Sequence, residues 1–169
     1  GFSTIKLKIG AIDFDKEIQL LSEIRSKYSK KEIELRVDAN GAFTNENALQ
    51  RLKQLHQLEI HSIEQPIPPG DWIAMQKLCK DSPLPIALDE ELIGINNRSE
   101  KIKLLETINP QFIILKPSFI GGFQGSNEWI DTANKYEIGW WITSALESNV
   151  GLNAIAQWTF NYDVKIPQG

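Results

Sequence analysis

Apolar and polar positions alternate along Thr4-Ile5-Lys6-Leu7-Lys8-Ile9. A period of two carried by β-branched residues predicts a strand, which Gly10 ends. Behind it Ile18, Leu21 and Ile24 recur at helical spacing, with Asp13 or Asp15 placed to cap the helix. The same order of events then repeats. A run over 33–41 precedes a helix with the apolar stripe Ala48, Leu49, Leu52 and Leu55, for which Thr44 is the expected N-cap. A third run, 60–64, stops at Gln65-Pro66, and Asp71 caps a helix reaching Cys79. A fourth, 85–89, leads to a helix near 99–106. A fifth, 112–116, is halted by Pro117, and the Gly121-Gly122 loop opens a helix around 126–136. A sixth, 138–144, is followed by a helix over 148–160.

Strands that alternate with helices of this length imply parallel βαβ units and an α/β fold. Several runs are continuously apolar, as expected where both faces of a sheet are covered. The polar residues that close the six strands are Lys8, Asp38, Glu64, Asp89, Lys116 and Ser144, at intervals of 30, 26, 25, 27 and 28 residues. One polar group therefore falls at the C-terminal end of every strand, on a single rim. A TIM-type (β/α) barrel builds its active site on that rim. A closed barrel needs eight units and about 250 residues. The chain is accordingly expected to be a barrel fragment of about six βα units, residues 1–169. The alternative, an open doubly wound sheet, fits less well because no glycine-rich phosphate turn follows the first strand.

Three carboxylates brought to one mouth repel each other, and a divalent cation relieves that repulsion. An all-oxygen set without Cys or His suits Mg²⁺, with Mn²⁺ as the variant. Asp38, Glu64 and Asp89 are the candidate metal ligands. Lys6 and Lys8, two apart on a strand, share one face, and Lys116 closes the fifth strand. A lysine beside a second ammonium group and a metal ion loses its proton more readily and serves as a base. The combination suits removal of a proton α to a carboxylate and stabilisation of the resulting anion.

Lys6-Leu7-Lys8, Asp38-Ala39-Asn40, Glu64-Gln65-Pro66, Asp89-Glu90-Glu91 and Leu115-Lys116-Pro117 stand in the order and spacing of the enolase superfamily, and the chain resembles its muconate-lactonizing-enzyme subgroup. Within it, Ile114 to Ser118 with Gly121-Gly122, and Ile142-Thr143-Ser144-Ala145-Leu146-Glu147-Ser148, are similar to the o-succinylbenzoate synthase family of menaquinone-pathway dehydratases. The resemblance implies the C-terminal barrel domain of such an enzyme, with a separate N-terminal capping domain of the full-length protein as its partner. It implies a small carboxylate substrate, Mg²⁺ on Asp38, Glu64 and Asp89, and proton abstraction and return by Lys8. Lys116 would remain a positive charge against the ring. Lys6, Ser144 and Thr143 would contact substrate, and Asn40 and Glu90 would orient ligands. Dipeptide epimerases, N-acylamino-acid racemases and cycloisomerases of the subgroup share this apparatus. A non-catalytic barrel module is the remote alternative.

Composition narrows the classes further. With 18 basic and 22 acidic residues the net charge is −4, which disfavours a nucleic-acid surface or a polybasic membrane anchor. No apolar run approaches the ~18 residues needed to cross a bilayer, and no secretory leader pattern is present. The expectation is a cytoplasmic protein with neither membrane nor nucleic-acid partners. A single cysteine excludes an internal disulfide or thiolate cluster, and Cys79 reads as a core thiol. His56 and His61 lack partners at ligand spacing. Glu34 and Arg36 read as ordinary strand residues, although Arg36 shares parity with Asp38, which would place it inside the barrel. Trp129, Trp140, Trp141 and Trp158 read as packing between helices and strands. Strand alternation sends Asp89 and Glu90 to opposite sides.

Overall fold

The computed structural model describes residues 2–169. Among them, strands β1 (Thr4–Lys8), β2 (Glu34–Asp38), β3 (Ser62–Glu64), β4 (Ile86–Leu88), β5 (Phe112–Leu115) and β6 (Gly139–Ile142) alternate with helices α1 (Phe14–Lys27), α2 (Ala48–His56), α3 (Trp72–Asp81), α4 (Arg98–Ile108), α5 (Gly122–Lys135) and α6 (Asn149–Thr159). Neighbouring strands pair in parallel and in chain order, β1-β2-β3-β4-β5-β6. That unreversed order belongs to an incomplete (β/α) barrel, because a doubly wound sheet changes direction at its switch point. No helix among the described residues is long and apolar enough to cross a membrane.

The two faces of the curled sheet have different contents. On the outer face Leu35, Val37, Ile63, Ile86, Leu88, Ile113, Leu115 and Ile142 join Leu21, Leu52, Met75, Leu104 and Trp129 of the helices in the main core. On the inner face Ala87, Ile114 and Trp141 pack with Phe112 and Ile166. Arg36 lies inside as its parity requires, its guanidinium 4.4 Å above the Trp141 ring. Trp141 is thus a lining residue of the interior and does not pack helices, a correction that follows from its register with Ile114. His61 packs against Phe112 in a tilted arrangement, ring centroids 5.3 Å apart, and hydrogen-bonds Ser62. Cys79 is buried, and burial together with the Glu91 charge pushes its thiol up to about 12.

Local chemistry accounts for the element starts. The Asp13 and Asp71 carboxylates accept from the Lys16 and Ala74 amides at 3.4 and 2.9 Å and cap α1 and α3. Thr44 does not cap α2. Its carbonyl accepts from Asn47 N and Ala48 N at 3.2 and 2.9 Å, and its amide donates to Asn47 Oδ1 at 3.0 Å. A separate turn over 44–47 therefore intervenes, and Asn47 takes the cap position. On the rim, Gly10 has φ +91°, and a Cβ there would lie 2.4 Å from Ala42 Cβ. The turn after β1 is thereby pressed onto the turn after β2. Buried Glu17 holds it by accepting from Gly10 N at 2.7 Å.

Candidate active site

Register assembles the rim. Lys8 pairs with Asp38 and Asp38 with Glu64, so three polar strand ends share one line. Asp89 and Lys116 stand immediately beyond β4 and β5, further along their strands because neighbouring strands of a barrel are staggered. Five of the six expected strand-end groups, Lys8, Asp38, Glu64, Asp89 and Lys116, form one hydrogen-bonded row together with Lys6. Lys8 Nζ donates to Asp38 Oδ2 at 2.6 Å. Lys6 Nζ lies 3.2 Å from the same oxygen and 2.6 Å from Glu64 Oε2. Lys116 Nζ lies 3.5 Å from Glu64 Oε1 and donates to Asp89 Oδ2. The carboxylates are buried, whereas the Lys8 side chain is 62% exposed and is the member of the row most open to a molecule above the rim.

Burial pushes Glu64 up to about 8; the Lys6 charge opposes this, and the negative charges of Asp38 and Asp89 add to it. Asp38 goes the other way. Burial would raise it, but the Lys8 hydrogen bond, the Lys6 and Lys8 charges and the Asn40 amide hold it below the usual carboxylate range. Burial would lower Lys6 and Lys116, yet their carboxylate partners hold both above the ordinary lysine value. Each ammonium group is wedged between carboxylates, Lys6 between Asp38 and Glu64 and Lys116 between Glu64 and Asp89.

The same wedging bears on a metal. Among the described residues no three His, Cys, Asp or Glu side chains are gathered around one point. Asp38, Glu64 and Asp89 form a row with ammonium groups between them. Their chemistry nevertheless fits a hard divalent cation. All donors are carboxylate oxygens, and Glu64, held up by burial and then by the charges of Asp38 and Asp89, is the group a cation would relieve most. Three lysines face four carboxylates once Glu90 beside Lys116 is included. With all four carboxylates ionised the set carries one negative charge in excess, which a bound dication would turn to one positive.

Asn40 and Glu90 join the row at Lys8, with Asn40 Oδ1 2.6 Å from Lys8 Nζ and Asn40 Nδ2 2.7 Å from Glu90 Oε1. Glu90 is on the same side as Asp89, against the expectation from alternation. The strand ends at Leu88 and the chain turns into a 3-10 helix, Glu90–Leu92, where a period of two no longer applies. Glu91 is the residue that points away, accepting from Gln65 Nε2 and Gly70 N at 3.1 and 2.8 Å. Among the described residues the row does not extend to Thr143 or Ser144. These hold the next place on the rim, where Thr143 N donates to Leu115 O at 3.0 Å.

Sequence reasoning missed Gln65. It is fully buried, and its Oε1 accepts from Asp89 N and Glu91 N, both at 3.2 Å, which fixes the turn that carries Asp89 and Glu90. The signal was its place between Glu64 and Pro66: a φ of +37° turns its amide back into the sheet end.

Residues 1–165 match the family described as Enolase C-terminal domain-like. The chain is 57% identical over 169 residues to an o-succinylbenzoate synthase of Desulfotalea psychrophila, covering 100% of this chain and 46% of that protein. The crystal structure of MenC from Desulfotalea psychrophila LSv54 superimposes with a TM-score of 0.96 at 56% identity, over 100% of this chain and 46% of that one. An L-Ala-D/L-Glu epimerase of Francisella tularensis subsp. novicida is 31% identical over 158 residues, 92% of this chain and 43% of that protein. The chain thus spans just under half the length of these relatives.

Proposed function

The chain belongs to the Enolase C-terminal domain-like family, and from that premise we propose that the full-length protein is a Mg²⁺-dependent lyase. It would convert 2-succinyl-6-hydroxy-2,4-cyclohexadiene-1-carboxylate to o-succinylbenzoate, a step of menaquinone biosynthesis, in the cytoplasm. The observation that carries the reading is the interleaved row of Lys8, Asp38, Lys6, Glu64, Lys116 and Asp89 on one barrel rim. The 57% identity to an o-succinylbenzoate synthase supports the substrate.

Asp38, Glu64 and Asp89 would hold the cation, which supplies positive charge to the substrate carboxylate as negative charge develops there. Lys8 Nζ takes the proton α to the carboxylate. It then returns that proton to the departing hydroxyl on the same face. One C–H and one C–O bond break, water leaves, and the ring becomes aromatic. Lys116 stays protonated between Asp89 and Glu64 and contributes a fixed charge, with Lys6 beside it. Thr143 and Ser144 would meet the succinyl arm, and a capping domain elsewhere in the full-length protein would close over it.

The test follows loss of the cyclohexadiene absorbance with the full-length protein, first with Mg²⁺ and then with a chelator. Loss that stops on chelation supports the reading, and no loss from a folded, cation-binding protein refutes it. A second reading, dipeptide epimerisation, rests on the 31% identical epimerase and on lysines at both ends of the row. In that chemistry Lys8 and Lys116 would each act as a base, on opposite faces of the substrate.

Cation affinity should depend on pH. With Glu64 raised to about 8, cation binding below that pH must displace a proton, so affinity falls as the solution is acidified, by up to about tenfold per unit. Calorimetric Mg²⁺ titrations at pH 9 and pH 7 should therefore differ by about tenfold. Equal affinities would show that Glu64 is ionised across the range.

A further inference from the structure

We infer that Glu90 positions the Lys8 amine by fixing the orientation of the Asn40 amide, an inference that rests on Lys8 being the proton-transferring group. The Asn40 side chain is used at both ends: Oδ1 accepts from Lys8 Nζ at 2.6 Å, and Nδ2 donates to Glu90 Oε1 at 2.7 Å. An ammonium group can only donate and a carboxylate can only accept. Glu90 therefore decides which end of the amide Lys8 meets; turned over, the amide would set its NH₂ against the ammonium. Lys8 needs such a guide because its four-carbon side chain is 62% exposed. Its other partner, Asp38 Oδ2, is shared with Lys6 and is claimed by the proposed cation, which leaves Asn40 Oδ1 as the acceptor reserved for Lys8.

The supports of this pair are rigid. Asn40 sits at φ +44°, with its amide bonded to Asp38 Oδ1 at 3.0 Å and the next amide, Gly41 N, bonded to Gln65 O at 2.7 Å. The Glu90 backbone is bracketed by Asp89 N and Glu91 N on Gln65 Oε1. The second Glu90 oxygen, Oε2, is buried without a hydrogen-bond partner. A carboxylate that leaves one buried oxygen unpaired is a poor device for stability, and its one bonded oxygen is aimed at Asn40.

The test uses the full-length protein with Glu90→Ala, Glu90→Leu and Glu90→Gln. Without metal or substrate, acetylation of Lys8 by an activated acetate ester is mapped by mass spectrometry against exposed Lys16 and Lys103. Glu90→Ala should speed Lys8 labelling about 3- to 10-fold relative to those controls. Glu90→Gln, which keeps an acceptor, should restore the native rate. With cation and substrate, Glu90→Ala should lower kcat about 10- to 100-fold and leave KM and Mg²⁺ affinity within about twofold. Glu90→Leu, close to native size, gives the same readouts should the alanine variant fail to fold. Unchanged Lys8 labelling overturns the inference, as does a loss of Mg²⁺ affinity parallel to kcat, which would place Glu90 at the cation. If the native protein does not dehydrate the substrate, the functional reading fails, while the labelling result still decides whether Glu90 holds Lys8.

Discussion

Lys8→Ala in the full-length protein is expected to lower turnover of the cyclohexadiene carboxylate by about 10³-fold or more, while Mg²⁺ binding is kept or strengthened. The size follows from the step removed. A positioned general base contributes about 10²- to 10⁴-fold, and the proposal gives Lys8 both the abstraction and the return of the proton. The direction of the metal effect follows from geometry. Lys8 Nζ competes for Asp38 Oδ2 at 2.6 Å, so its removal frees a carboxylate oxygen for the cation. Parallel arginine variants separate the two chemistries. In a dehydratase Lys116 supplies charge alone, and Lys116→Arg should keep measurable turnover where Lys8→Arg does not. In an epimerase both arginine variants should be equally inactive. Dehydration by Lys8→Ala within about tenfold of the native rate would remove Lys8 from its role, because no positioned base contributes so little.

That the two lysines can be set against each other at all reflects how much the chain discloses before it folds. Six alternations of apolar run and helix stripe led to six parallel strands in chain order, and the breaks are marked most plainly after β1, β3 and β5, where Gly10, Pro66 and Pro117 act through backbone geometry, and ahead of α1 and α3, which Asp13 and Asp71 cap. Strand-end spacing alone brought Lys8, Asp38, Glu64, Asp89 and Lys116 to one rim. Spacing could not show what happens between strands. Lys6 lies one inward position below the rim, yet its length carries Nζ between Asp38 and Glu64, and Lys116 reaches between Glu64 and Asp89 in the same way. Alternation failed wherever the strand had already ended, as at Glu90. It would have found the inward face of Trp141 had the parity used for Arg36 been carried across the sheet. Gln65 was hidden because one buried amide in a strand-end turn leaves no periodic trace.

Asp89→Asn is expected to weaken Mg²⁺ binding about 100-fold, close to 2.7 kcal/mol at ~1.36 kcal/mol per decade, without unfolding the protein. The side chain is buried, with 3% of its area exposed, and its charge faces Lys116. Asparagine keeps the shape and one acceptor oxygen, so the turn fixed by Gln65 persists. The anionic oxygen that a hard cation prefers is lost. Lys116 keeps Glu64 as a partner at 3.5 Å, so its ammonium group is not left buried and alone, the situation that makes breaking an internal ion pair so damaging. Calorimetric Mg²⁺ titration beside a thermal melt separates the outcomes. A large fall in affinity with a small change in Tm assigns Asp89 to the cation. Unchanged affinity reassigns the third ligand, and Glu90 is then the nearest carboxylate. In that event Glu90→Ala would also lose the cation, in direct conflict with its assignment to Asn40 and Lys8, so the two variants measured together decide which acidic residue of the Asp89-Glu90 turn serves the metal and which serves the base.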